Sequence, residues 1–92
     1  MRSGERWFYE VSKILYNEFG KESFYYRGFN KTVNGDTVAI FEAVDSSINL
    51  SEFANKYWDY KNEDLRIRGI TVEKELKINS SIRFVNCVVV WL

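Results

Sequence analysis

The dipeptide Asn34-Gly35 stands in the middle of a run, Ser23 to Val44, that is dense in aromatic and β-branched residues. Such residues favour extended backbone. Asn-Gly between two apolar segments is a strong hairpin signal, because a two-residue type I′ turn needs positive φ at both central positions. The spacing predicts a β-hairpin that pairs Val33 with Asp36, Phe29 with Ile40, Gly28 with Phe41 and Arg27 with Glu42. Alternation then places Tyr25, Phe29, Val33, Val38, Ile40 and Val44 on one face. Phe24, Tyr26, Ala39, Phe41 and Ala43 fall on the other. Both faces are apolar and one helix covers only one of them, so the second is expected to meet more of the chain, another subunit or a partner.

A helix precedes the hairpin. Trp7, Phe8, Val11, Ile14, Leu15 and Phe19 fall on one arc of roughly 140° at helical spacing. Ser3 sits at the N-cap position, Glu5 in the positively polarised first turn and Gly20 where a left-handed residue stops a helix, predicting a helix over about residues 4–19. After the hairpin, Leu50, Phe53, Ala54 and Tyr57 repeat at i, i+3, i+4 and i+7, behind a capping-box pattern of Asn49 and Glu52. A short second helix over about residues 50–57 follows. Trp58 to Asp64 reads as a charged loop, and Leu65 and Ile67 alternate with Arg66 and Arg68 until Gly69, a candidate β-bulge, shifts the phase. Beyond it Ile70, Val72, Leu76 and Ile78 point inward and Thr71, Glu73, Glu75 and Lys77 outward. Asn79-Ser80-Ser81 reads as a turn into a last strand, Ile82 to Leu92, whose apolar end suggests burial on both faces.

The order αββαββ predicts an α+β fold in a single domain, residues 1–92, with a four-stranded antiparallel sheet and the first helix across one face. Aromatics make up 17% of the 92 residues, which gives a short chain large buried areas per residue. One cysteine permits no intramolecular disulfide, and with no histidine there is no thiol–imidazole pair and no zinc-like spacing, so neither metal nor cofactor is expected. Thirteen basic residues balance thirteen acidic ones, which removes the usual electrostatic argument for nucleic acid or an anionic membrane. The longest apolar run, Cys87 to Leu92, falls far short of the ~20 residues of a membrane span, and the first residues lack the apolar core of a signal peptide. A reducing, cytoplasmic location is the expectation. The absence of Pro and Gln together with the scarcity of Ala resembles AT-biased coding, the basis for expecting a phage or mobile-element product.

Catalysis finds few players. Cys87 is predicted opposite Glu73 between valines, the setting of an inert buried thiol. Glu18 falls near the centre of the first helix's apolar arc, where a carboxylate either acquires a raised pKa and a role or bends out to solvent or to Lys21. Lys74 and Asn86 face one another on the inward side of the last hairpin, so Lys74 either snorkels to water at an edge or meets Glu18 or a ligand. Tyr57, Trp58, Tyr60, Lys61, Arg66 and Arg68 interleave rings and cations, as single-stranded nucleic-acid and protein interfaces do, but Asp59, Glu63 and Asp64 in the same stretch favour protein. Tyr9 and Tyr16 lie together on the outer side of the first helix, and Trp91 belongs to the apolar end of the last strand. The leading expectation is a non-enzymatic protein-binding domain, self-associating or acting as a small accessory or inhibitor on a larger protein. Its candidate residues are Tyr9, Tyr16, Tyr57, Trp58, Tyr60, Arg66, Arg68 and Trp91. The alternatives are a single-stranded nucleic-acid module using Tyr57 to Arg68, and a ligand pocket or enzyme around Glu18 or Lys74.

Overall fold

A computed structural model describes residues 6–20, 23–45, 47–78 and 83–92. Its elements run α1 (Arg6–Phe19), β1 (Phe24–Lys31), β2 (Thr37–Ala43), α2 (Ser51–Tyr57), β3 (Gly69–Lys77) and β4 (Arg83–Trp91). The four strands form one antiparallel sheet in the order β1-β2-β4-β3, the α+β arrangement that the alternating patterns imply. Ser3, Glu5, Lys21 and the turn at Asn79-Ser80-Ser81 lie outside the described residues.

α1 forms where the apolar arc predicts it and buries Trp7, Val11, Ile14 and Leu15. Gly20, at φ 86°, ends it, with its N–H donating to the Tyr16 carbonyl at 2.8 Å. The Ser23 hydroxyl donates to the Phe19 carbonyl at 2.8 Å, satisfying one of the helix's terminal acceptors. α2 differs in its start. Leu50 is its N-cap and makes no side-chain cap; Asn49, one residue earlier, instead accepts the Ser51 N–H at 2.9 Å. The expected Asn49–Glu52 capping box is therefore replaced by an Asx turn.

The first hairpin forms, but not in the predicted register. Gly35 is in the left-handed region at φ 87° while Asn34 is not, and the Thr32 N–H donates to the Asp36 carbonyl at 2.9 Å. The loop thus has three residues, Val33 to Gly35, with glycine taking the single left-handed position. Phe29 pairs with Ala39 and Gly28 with Ile40, and a bulge at Arg27, with Gly28 at φ 85°, shifts the ladder so that Tyr26 pairs with Phe41 and Tyr25 with Glu42. Arg27 still reaches Glu42, Nε to Oε1 at 2.9 Å, from the bulged position. The bulge also moves Phe29 to the helix side, where its ring lies 5.4 Å from Trp7.

One cluster of buried side chains joins α1 and α2 to the sheet: Trp7, Val11, Leu15, Phe53, Leu65 and Ile67 meet Ala39, Phe41, Ile70, Val88 and Val90. Leu65 and Ile67 reach it from a tight turn rather than a strand, since Asn62 bridges Ile67 and Arg66 takes φ 60°. Gly69 begins β3 opposite Trp91 without the expected bulge.

The second face of the sheet is not left uncovered. Val38, Ile40, Cys87 and Val89, all at 0% exposure, pack with Leu76 and Ile78 in a cluster to which neither helix contributes. In a flat sheet β1 and β3, three intervals apart, would be separated by about 14 Å at ~4.8 Å per interval. Yet Thr32 at the end of β1 bridges Ile78 at the end of β3. The sheet therefore curls until its outer strands touch, and its own concave side encloses the second cluster. Leu76 reaches this side, opposite Ile70, because the β3–β4 ladder is interrupted between Glu73↔Cys87 and Glu75↔Val85, where Asn86 adopts φ 51°. The expected single inward stripe from Ile70 to Ile78 is thus divided between two cores. Of the three covers expected for the second apolar face, the first is found: more of the chain meets it, through the sheet's twist and curl, which alternation alone does not reveal.

Candidate functional site

The exposed large apolar side chains concentrate around β1. Tyr25, Tyr26 and Phe29 lie on it, Val33 is in the turn that follows, and Tyr16 stands on the neighbouring part of α1. Phe29 is 58% exposed although it touches buried Trp7, and Tyr26 is 40% exposed. Between α1 and β1 runs an open groove of about 190 Å³, walled by Phe8, Ser12 and Tyr16 on one side and Phe24 and Tyr26 on the other, with Phe41 among its lining residues. Its rings brace one another. Phe8 meets Tyr26 edge-on at 4.9 Å, Tyr26 lies 5.1 Å from Phe41, and Phe19 meets Phe24 at 5.2 Å. Burial against these rings pushes the Tyr26 hydroxyl pKa above its ordinary value, so the phenol remains a hydrogen-bond donor at neutral pH.

Among the described residues β1 is also an edge strand, paired with β2 and, at Thr32, bridged to Ile78. The Ser23 carbonyl accepts from Val44 N–H and the Thr32 N–H donates to Asp36, so both ends of the strand have fixed phase. Stepping by two from each end turns Tyr25, Asn30 and Gly28 toward β2. The backbone groups of Phe24, Tyr26 and Phe29 therefore face outward, beside the groove, while those of Lys31 face outward next to the Thr32–Ile78 bridge to β3.

The residues singled out from the sequence do not come together. Tyr9 and Tyr16 are each 57% exposed but line different grooves, Tyr9 facing Asn62 and Asp64 and Tyr16 facing β1. Tyr57 and Tyr60 pack inward, Tyr57 4.6 Å from Phe53 and 5.9 Å from Tyr60, whereas Trp58 projects at 76% exposure. Arg66 is exposed in its left-handed turn, and Arg68 is occupied by the Leu92 carbonyl at 2.9 Å and by Asp36 at 3.3 Å. Trp91 is half-buried and donates its indole N–H to Thr71 Oγ1 at 2.9 Å. The Tyr57–Arg68 segment thus splits between core and solvent.

Glu18 leaves the apolar arc to pair with Lys56 of α2, and that hydrogen bond, then the charge itself, raises the Lys56 pKa. Lys74 is exposed on edge strand β3, beside Asn86 and the Ser47–Ser51 segment, and Glu18 is not part of that groove. Cys87 lies opposite Glu73 as the register predicts. Among the described residues no three His, Cys, Asp or Glu side chains gather where they could hold a metal ion, and no helix is long and apolar enough to cross a membrane. The β1 groove was missed at the level of sequence because nothing in it orders the strands; its one trace is the density of rings at Phe24, Tyr25, Tyr26 and Phe29.

No family model, no curated protein and no solved structure matches this chain.

Proposed function

We propose that this chain is a non-enzymatic protein-binding domain that holds its partner on the aromatic surface between α1 and β1, acting as an accessory or inhibitor of a larger protein. The supporting observation is that exposed rings border a strand edge here, while Val38, Ile40, Cys87 and Val89 on the sheet's other face are enclosed. Tyrosine suits such a surface, since it offers a large, stiff, amphipathic contact at low entropic cost. Self-association through Val38 or Val89 drops out of the proposal because both are interior. Single-stranded nucleic acid is the weaker reading, as Tyr57 and Tyr60 are spent on the core.

Site-specific photo-crosslinking in the source cell tests the proposal. A benzophenone side chain at Tyr26 or Tyr16 is expected to trap a discrete protein, and one at exposed Lys74 on β3 is not. Tyr16→Asp should abolish trapping from position 26. Equal trapping from Lys74, or none from Tyr26, overturns the assignment.

A further inference from the structure

We infer that the occupant of this surface is an extended, acidic segment of another protein, added as a fifth strand beside β1; the inference rests on the protein-binding reading above. Strand addition requires a free backbone edge next to a pocket for alternate side chains. Both are present. Phe24, Tyr26 and Phe29 offer outward N–H and carbonyl groups, short of the bridge to β3 at Thr32, and the groove beneath α1 takes an apolar side chain against Phe8, Tyr26 and Phe41.

Charge selects the occupant. β1 carries Arg27 and Lys31 and no acid, and among the described residues none that lines the groove is charged. Lys31 bonds the Thr37 hydroxyl at 2.5 Å. Arg27 contacts Glu42 at 2.9 Å, but its side chain remains 43% exposed against 17% for the acid beneath it. A second copy of this chain would bring the same cations against Arg27 and Lys31 across one strand spacing, which opposes pairing of like with like. The bulge at Arg27 adds to this by dividing the edge into two short stretches, Phe24 to Tyr26 and Phe29 to Lys31. That interruption blunts a long self-templated ladder while leaving sites for a short peptide.

The test uses two pooled sets of short capped peptides, one alternating Glu with Val, Leu, Phe or Tyr, the other with Lys in place of Glu. The acidic pool should bind at least about tenfold more tightly at low salt and lose that margin as salt rises. Amide exchange should slow at Phe24, Tyr26 and Phe29 but not newly at Tyr25 or Asn30. N-methylation of alternate peptide residues should abolish binding, and Lys31→Glu should reverse the charge preference. Equal binding of the two pools, or protection elsewhere, overturns the inference. So do dimers by light scattering that protect the same three amides without peptide. Loss of peptide binding with persistent crosslinks from Tyr26 removes strand addition alone; loss of both removes the protein-binding reading as well.

Discussion

Cys87 sits in β4 between β2 and β3 with no exposed surface, and burial, reinforced by the Glu42 carboxylate, pushes its pKa up to about 12. The thiol is thus held protonated and unreactive. Because the folded value lies above the ordinary 9.0, the unfolded chain releases this proton first. The thiol's contribution to stability is complete below about 9 and is lost as pH rises from there toward about 12. Urea midpoints measured across that window should fall for the native sequence and fall less for Cys87→Ala. The raised tyrosines Tyr26 and Tyr57 keep a residual slope of the same sign. At neutral pH, labelling of Cys87 by a thiol reagent should be limited by opening of the domain. Glu18 carries no comparable consequence: its pairing with Lys56 is exposed and salt-screened, so Glu18→Gln is expected to leave the melting temperature nearly unchanged.

In the first hairpin, only Gly35 of the loop needs the left-handed conformation, and a Cβ built there meets no atom within 4 Å. Gly35→Ala is therefore expected to cost about 1 kcal/mol through backbone strain alone, and Asn34→Ala well under that, by chemical denaturation. A two-residue turn would have made the two substitutions comparable. Helices were the most legible part of the sequence. The arc of Trp7, Val11, Ile14 and Leu15 located α1, and the Leu50 to Tyr57 repeat located α2, because 3.6-residue periodicity is a local property. Strand faces were legible only in stretches. The Arg27 bulge reassigned Phe29, and the break at Asn86 sent Leu76 and Ile70 to opposite cores, since one extra or left-handed residue inverts every later side chain.

The arrangement of the strands was not written in periodicity at all. Thr32 meeting Ile78, and β4 lying between β2 and β3, depend on long-range packing, and the β1 groove exists only because that order leaves β1 at an edge. The candidate residues drawn from local composition accordingly scattered, Tyr57 inward and Trp58 outward. Two substitutions separate an enclosed sheet face from a recognition surface. Val89→Asp buries an unpaired charge among fully covered side chains and should give an unfolded or aggregated chain at every concentration. Tyr16→Asp changes an exposed helix position and should leave stability within about 0.5 kcal/mol, read by thermal melting, while losing the partner.

The central place of β4 also bears on biosynthesis. A nascent chain can form α1, the β1–β2 hairpin and α2 early, but the inner margin of β2 from Val38 to Glu42 has no mate until residues 87 to 91 clear the ribosomal tunnel. The sheet therefore stays unfinished until β4 has emerged, a vulnerable interval during which holdase chaperones would find their target on β2.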